Sequence, residues 1–352
     1  MRLASKCVCR RYGLKDPRNF SRGCRAGENV LGAVGGEALL DHRIRYSGAG
    51  YPMTVVSEIQ AEAEFEDLAE RKPWSQVLAK LIRRQPLGAA GFAVVLAMIL
   101  MAALADLIAP HDPILNKFED MLLPPDAVYW MGTDQFGRDV LSRIIHGSRT
   151  ALFVGFSAAS MGATFGLVLG VTSAYFGGRF DLLFQRVMDV FLAFPLIIMA
   201  LAIVSIFGPG LENVILAITI PFIPQCARVV RSNALAIREI PYVDAARALG
   251  FGHARIILRH MAPNVMAPFL IMLSTFVGHA ILLEASLSYL GLGVTEPTPA
   301  WGLMLQGGAE EYAESAPWMA VWPGVAISLG VFGFNLFGDA LRDVLDPKLR
   351  QK

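Results

Sequence analysis

The fold is decided by the polar stretch Pro241-Tyr242-Val243-Asp244-Ala245-Ala246-Arg247-Ala248-Leu249-Gly250, which separates two apolar segments of membrane-spanning length. Proline suits the first helical position, where its missing N–H costs nothing. Asp244 lies in the first turn, where the helix dipole favours a carboxylate. Gly250 is the residue type expected at a left-handed helix end. The stretch therefore predicts a short, capped helix outside the bilayer.

The composition around this stretch is that of a membrane protein. Hydrophobic residues make up 54% of the chain and charged residues only 17%, whereas soluble domains carry about 25% charged residues. A bilayer span needs about 20 mostly apolar residues. Six stretches qualify as spans, at residues 87–109, 150–176, 189–207, 213–230, 265–290 and 318–340. The fourth is the weakest, because it contains Pro221 and Pro224, although spanning helices tolerate proline.

The placement of Lys and Arg predicts the orientation of these spans. With a cytosolic N-terminus, most basic residues lie inside, in the segment 53–86, in the loops after the second and fourth spans and in the tail 341–352. The outer loop 292–317 has no Lys or Arg. Both termini and the loop 231–264 are therefore predicted to be cytosolic. A few basic residues of the outer loop 110–148 come just before the second span, and they predict an amphipathic helix at 139–149 lying at the membrane interface.

The first 52 residues do not belong to this pattern, because they contain no apolar run and no secretory signal. Cys7, Cys9 and Cys24 lack a fourth ligand at zinc-like spacing, which favours a disordered extension over a metal site. A second hypothesis is that translation starts at Met53, so that residues 53–86 form a cytosolic lead into the first span.

The sequence contains no motif for catalysis. It has no phosphate-binding loop G-x-x-x-x-G-K-[ST], no H-E-x-x-H, no C-x-x-C and no G-x-S-x-G. We therefore expect no catalytic residue, no bound metal or cofactor and no nucleic-acid partner. If the chain drives active transport, the energy comes from a partner.

Several motifs resemble those of bacterial ABC importer permeases. They are Arg228-x-x-Arg231 and the segments 242–250, 259–264, 132–143, 284–293 and 335–347. The resemblance is to the peptide and nickel branch, and within it to the second permease subunit of the dipeptide/oligopeptide type. The chain departs from the general loop pattern, because Asp244 replaces Glu, His260 replaces Ile and Ala262 replaces Leu.

This resemblance implies an all-α polytopic membrane protein with six transmembrane helices and the type I ABC importer permease fold, with five of the helices in a core at 149–340. It implies a heterodimer with a homologous permease, two ATPase subunits that use ATP and Mg, and a periplasmic substrate-binding protein, all at the bacterial inner membrane. The solute would be a di- or oligopeptide or a related small solute. The alternative is a secondary transporter or channel without an ATPase, a class that typically shows internal repeats.

The resemblance also implies that the loop 231–264 couples the permease to an ATPase. The implied coupling residues are Tyr242, Asp244, Ala245, Ala246, Arg247, Gly250, His260, Pro263 and Asn264. Apolar contact with the ATPase is expected from Tyr242, Val243 and Leu249. On residue chemistry alone, a loop that binds anionic lipid is an equal alternative.

Polar residues within the spans form a second candidate group, and they are Glu284, Ser288, His279, Asn335 and Asp339. A carboxylate inside the membrane is costly, so it is paired or functional. Glu284 would line the solute path, clamp two helices or act as a hinge partner for a loop, and the small residues beside it favour the clamp.

Two further patterns predict contacts. Gly162, Gly166 and Gly170 recur every four residues and predict a close helix approach, within the subunit in preference to a heterodimer seam. In the outer loop, Trp301 and Gly302 are expected to dock the substrate-binding protein.

Overall fold

The computed structural model describes residues 85–345 of the 352-residue chain. The predictions for residues 1–52, for residues 53–84 and for the tail beyond 345 lie outside the described residues. Within the described part the α-helices are α1 Pro86–Ala103, α2 Ala105–Ile108, α3 Val140–Phe176, α4 Gly178–Leu192, α5 Leu196–Phe207, α6 Leu211–Arg238, α7 Pro241–Ala248, α8 His253–Ile256, α9 Met266–Tyr289, α10 Trp301–Glu310 and α11 Trp318–Leu345. A π-helical turn, Ile257–Met261, and a 3₁₀ turn, Ala262–Val265, join α8 to α9.

Five helical segments are long and apolar enough to cross a membrane, judged by length and composition. They are α1, α3, α6, the segment His253–Tyr289 and α11. The pair α4 and α5 also qualifies when taken together, although it is bent by 86°. Counting this pair as one span gives the six spans that the sequence predicts.

The third span differs most from its predicted bounds. Helix begins at Gly178 rather than near residue 189, and it is interrupted between Leu192 and Leu196. Pro195 explains the interruption, because proline disfavours a helical conformation in the residue before it and cannot donate a backbone hydrogen bond. The bend turns α4 away from α5.

The predicted interfacial helix at 139–149 is wrong, because these residues form the cap and first turns of the 37-residue helix α3. The Asp139 carboxylate accepts a hydrogen bond from the Ser142 N–H at 3.0 Å and caps the helix. Arg143 faces inward with only 1% of its side chain exposed, and its Nη1 donates to the Pro113 carbonyl at 3.1 Å. A helix at the membrane interface would keep such an arginine in water.

Helix α6 continues through Pro221 and Pro224 and extends to Arg238, eight residues beyond its predicted end. Both prolines are buried against neighbouring helices. Its other side packs on the glycine stripe of α3, and a Cβ built on Gly166 would lie only 2.5 Å from the Cys226 Cβ. The predicted close approach within the subunit is confirmed.

Around this seam the remaining helices complete the core. The Phe276 ring of α9 stacks on the Phe222 ring of α6, with centroids 4.3 Å apart. Helix α1 packs on α11 through Gly91, where an added Cβ would lie 2.6 Å from the Leu336 Cβ. Helix α3 is thereby enclosed by α6 on one part of its surface and by α9 on another.

Candidate coupling surface and intramembrane polar residues

Helix α7 is the capped helix that the sequence predicts. Pro241 occupies its first turn with Asp244, and the chain leaves the helix through Gly250 at a φ of 76°. A residue with a Cβ adopts this φ only with strain. Pro241 and Gly250 therefore mark the two ends of α7.

The two sides of α7 have different surroundings. Val243 and Ala246 are buried against the rest of the chain. Asp244, Ala245 and Arg247 face outward, and Leu249 just beyond the helix is 73% exposed. The expectation that Val243 offers an apolar contact to a partner is wrong, because this side chain belongs to the permease core, and Ala246 likewise faces inward.

Three of the predicted coupling residues meet at one point. The Tyr242 hydroxyl donates to the His260 carbonyl at 2.9 Å. The Asn264 amide donates to the same carbonyl at 2.7 Å and to the Tyr242 hydroxyl at 3.0 Å. Burial raises the pKa of the Tyr242 hydroxyl, so it stays protonated as a donor. Pro263 is the second residue of the 3₁₀ turn that contains Asn264. These bonds tie α7 to the foot of α9.

A second tie connects α7 to the end of α3, and sequence reasoning missed it. The Arg247 guanidinium lies 5.3 Å from the centroid of the Tyr175 ring, within the range of a cation–π contact. The Tyr175 hydroxyl and the His253 Nδ1 are 2.7 Å apart. No local pattern could reveal this group, because Tyr175 lies far from the loop in sequence. Helix α7 is therefore braced against both α9 and α3.

The segment that leads into α7 is held by ionic contacts. The Arg231 Nε donates to the Asp181 Oδ1 at 2.6 Å, and the Ser173 hydroxyl donates to the same oxygen at 2.5 Å. The ends of α3 and α6 and the start of α4 thus share one carboxylate. A second pair joins Arg228 of α6 to Asp189 of α4.

The intramembrane candidates separate into two sets. Glu284 is 1% exposed and accepts a hydrogen bond from the Ser288 hydroxyl at 2.8 Å. The Ser288 oxygen in turn accepts from the Val294 N–H at 3.2 Å. By contrast, His279 and Asp339 are exposed, and Asn335 is half-buried. The first set joins α9 to the loop that follows it, which fits the loop-partner alternative rather than a clamp between two helices.

An unpredicted ionic cluster lies at the N-terminal end of α3. Arg138 donates to both carboxylate oxygens of Glu296, at 2.8 and 3.2 Å, and to the Asp134 Oδ2 at 2.7 Å. The Arg143 Nη2 reaches the same Glu296 at 3.4 Å. Burial alone would lower the pKa of the Arg138 guanidinium, but the bonds to Glu296 and the attraction of Asp134 raise it above its usual range. The cluster connects the start of α3 to the loop before α10.

The predicted docking role of Trp301 and Gly302 is wrong. Trp301 is 2% exposed and its Nε1 donates to the Ile144 carbonyl at 2.9 Å. A Cβ on Gly302 would collide with the Ala285 carbonyl oxygen. Both residues pack α10 into the core and cannot present a surface. Within residues 85–345, no group of three or more His, Cys, Asp or Glu side chains is placed to hold a metal ion.

Comparison with known proteins gives the family. Residues 162–351, more than half of the chain, match the binding-protein-dependent transport system inner membrane component. The chain belongs to this family. Residues 72–125 of the permease match the N-terminal TM domain of oligopeptide transport permease C. The permease is therefore a multi-pass, all-α membrane subunit of an ABC importer, as the sequence predicts.

Relatives align over most of the permease. It is 41% identical over 278 residues to the dipeptide transport system permease protein DppC of Alkalihalophilus pseudofirmus, covering 79% of this chain and 91% of that protein. It is 39% identical over 286 residues to the glutathione transport system permease protein GsiD of Pectobacterium atrosepticum, covering 81% and 94%. A chain of the inward-facing MetNI methionine ABC transporter aligns weakly, with 18% identity, a TM-score of 0.48 and coverage of 58% of this chain and 97% of that one.

Proposed function

We propose that the permease forms half of an ATP-driven path for a di- or oligopeptide or a related small solute. Two relatives of similar length carry names that refer to dipeptide and glutathione transport, and the N-terminal segment matches an oligopeptide permease domain. The full importer pairs this chain with a homologous permease, two ATPase subunits that use ATP and Mg, and a periplasmic substrate-binding protein.

The exposed side of α7 is the surface through which the ATPase acts on the permease. The observation that carries this proposal is the exposed Leu249 at the end of a helix that Tyr242 ties to the start of α9 and Arg247 ties to α3. A helix anchored in this way moves as one body with its neighbours. A displacement of α7 by the ATPase would therefore also displace α3 and α9. Asp244 and Arg247 form an exposed ion pair of 3.0 Å beside Leu249. Such rim charges set the register of an interface more than its affinity.

The orientation follows from the same surface. Arg247 lies in α7, and Arg255 and Arg259 lie in the segment that follows it, so this end of the molecule carries several basic residues. We therefore place α7, both termini and the tail beyond α11 in the cytosol, and the Glu296 cluster in the periplasm.

A matched pair of substitutions tests the coupling surface. Leu249→Asp places a charge in the proposed apolar contact, so ATPase subunits expressed from the neighbouring genes should no longer co-purify with the permease. Leu115→Asp is the control, because Leu115 is also exposed, at 56%, but lies in the outer loop. ATPase subunits should remain bound to this control.

Uptake in proteoliposomes completes the test. The assembled importer should accumulate a radiolabelled dipeptide only with the substrate-binding protein and hydrolysable ATP. Uptake by the permease alone would contradict the proposal and point to a secondary transporter or channel. ATPase association that survives Leu249→Asp would remove α7 from the coupling role.

A further inference from the structure

Tyr175 lies at the point where α3 meets the two short helices that follow α6. It is the last residue but one of α3, and only 6% of its surface is exposed. The Arg247 guanidinium of α7 lies over its ring, and the His253 Nδ1 of α8 lies 2.7 Å from its hydroxyl. The Tyr175 and His253 rings also meet edge to face, with centroids 5.5 Å apart. One buried side chain of α3 therefore contacts both α7 and α8.

The backbone beside Tyr175 holds the segment that leads into α7. The Ala174 carbonyl accepts a hydrogen bond from the Arg238 Nη1 at 3.0 Å. Arg238 is the last residue of α6, and two residues separate it from α7. Gly177, which follows the end of α3, leaves the room that the Arg238 guanidinium occupies. The end of α3 is thus attached to both sides of α7, before its start through Arg238 and near its end through Arg247.

The tie between α7 and α9 is of a different kind. Tyr242 and Asn264 are both exposed, and they meet at the carbonyl of His260. His260 lies in the π-helical turn, and the 3₁₀ turn Ala262–Val265 separates it from α9. Such changes of helical hydrogen bonding often mark a hinge. A displacement that enters here crosses an irregular joint before it reaches α9, whereas one that enters at Tyr175 acts on α3 directly.

Helix α3 is suited to carry a displacement over a long distance. Its 37 residues span about 55 Å and contain no proline. Both α6 and α11 contain proline within the helix, and proline removes a backbone hydrogen bond and favours a kink. The glycines of α3 that face α6 and α9 are closely packed against them. We therefore expect α3 to bend less readily than α6 or α11.

The N-terminal end of α3 is attached in turn to the segment 296–301. The Thr150 hydroxyl donates to the Pro299 carbonyl at 2.8 Å, and the Trp301 Nε1 donates to the Ile144 carbonyl at 2.9 Å. The ionic cluster described above adds a third contact to the same segment. A displacement of α3 would therefore also displace the segment 296–301.

We propose that Tyr175 is a positioning residue for coupling, which transmits the displacement of α7 to α3, and that α3 carries it to the segment 296–301. The ring and the hydroxyl of Tyr175 hold α7 and α8 against the end of α3, so the ATPase moves α3 when it moves them. The tie through Tyr242 transmits the smaller share, because it ends at the irregular joint before α9. The inference rests on the proposed importer function, and it deepens it by naming the span on which the ATPase mainly acts.

Pulsed EPR distance measurements follow α3 without knowledge of the solute. The four cysteines are replaced, and nitroxide labels are attached at Phe153→Cys on α3 and Phe332→Cys on α11, positions that are 57% and 58% exposed. The permease is purified with its partner subunits, and the label distance is compared without nucleotide and after trapping with ATP and vanadate. Trapping should shift the distance when Tyr175 is present.

Substitutions at the two ends of the contact test Tyr175 itself. Tyr175→Leu should abolish the shift while the ATPase subunits stay bound and hydrolyse ATP, whereas a merely structural defect would lower all three together. Tyr175→Phe keeps the ring under Arg247 and should retain part of the shift. Arg247→Gln should reduce the shift, and it should add nothing in the Tyr175→Leu background, as expected for partners in one contact.

Two further tyrosines serve for comparison. Tyr242→Phe removes the hydroxyl that bonds the His260 carbonyl, and it should reduce the shift less than Tyr175→Leu does. Tyr312→Leu replaces a half-buried tyrosine between α10 and α11, and it should leave the shift unchanged.

The opposite results would overturn the inference. These are an absent shift when Tyr175 is intact, a shift that survives both Tyr175→Leu and Arg247→Gln, or a greater loss in Tyr242→Phe than in Tyr175→Leu. If Tyr175→Leu does not assemble, Arg247→Gln decides alone, because it replaces an exposed side chain. Absence of ATPase subunits from the unsubstituted preparation would instead contradict the importer function, and it is scored separately.

Discussion

At the scale of single residues, Gly250 shows that a residue type in the right context predicts a backbone angle. A glycine after a run of good helix formers predicts a left-handed helix end, and Gly250 has that conformation. A Cβ at this position would meet nothing within 4 Å, so space is not the constraint. Only the φ of 76° requires glycine.

Gly250→Val should therefore damage coupling without damaging insertion. A β-branched residue at this φ is strained by about 1–3 kcal/mol, which displaces the end of α7. Gly252→Val is the control, because Gly252 has open space and an ordinary φ of −64°. We expect normal membrane levels of both variants by immunoblot, and loss of ATP-driven uptake only for Gly250→Val. Normal uptake in Gly250→Val would count against a coupling role for α7.

Ser288 should contribute more to the stability of the permease than its small side chain suggests. Ser288→Ala leaves the buried Glu284 carboxylate without its hydroxyl donor and the Val294 N–H without its acceptor. Each lost partner costs about 1–3 kcal/mol, so the melting temperature in detergent should fall by several degrees. Ser286→Ala is the control, because the Ser286 hydroxyl bonds only to Leu282 of its own helix.

The companion variant Glu284→Gln separates the two hypotheses for this carboxylate. A clamp predicts unchanged uptake with a lower melting temperature. A wall of the solute path predicts the reverse, an altered uptake at an unchanged melting temperature.

At the scale of elements, the glycine seam between α3 and α6 determines how closely the two helices approach. Gly166→Ala would place a methyl group 2.5 Å from the Cys226 Cβ and 2.9 Å from the Ile223 carbonyl oxygen. Backbone atoms cannot yield as a flexible side chain can, so we expect a loss of about 1–3 kcal/mol from overpacking.

Thermal unfolding of the purified permease checks this prediction. Gly324→Ala is the matched control, since it adds the same methyl group to a spanning helix, α11, where the nearest atom is 4.0 Å away. A melting temperature of Gly166→Ala equal to that of Gly324→Ala would mean that the helices can separate at no cost.

At the scale of the whole molecule, the Glu296 cluster joins parts of the chain that are about 150 residues apart. Glu296 bonds Arg138 and Arg143, and Arg143 is almost fully buried. Removing one partner of a buried ionic group leaves an uncompensated charge, which costs about 3–5 kcal/mol for a fully buried pair. The Glu296 side chain is 39% exposed, so solvent reduces this cost.

Glu296→Ala should accordingly lower the melting temperature and loosen the N-terminal end of α3. Limited proteolysis of the outer loops, together with thermal unfolding, measures both effects. Glu314→Ala, an exposed carboxylate of the same acidic loop region, is the control. If both variants are equally stable, the cluster does not hold the outer side together.

Local patterns account for what sequence alone determined. Apolar length predicted the spans, proline and glycine predicted the ends of α7, and the four-residue glycine spacing predicted the seam, because each depends on neighbours a few residues away. Only the tertiary structure decided that Arg143, Trp301 and Val243 are buried and that Tyr175 braces α7. Each of these outcomes depends on a contact with a helix that is distant in the sequence. The spacing of residues along the chain does not predict which distant helix provides that contact.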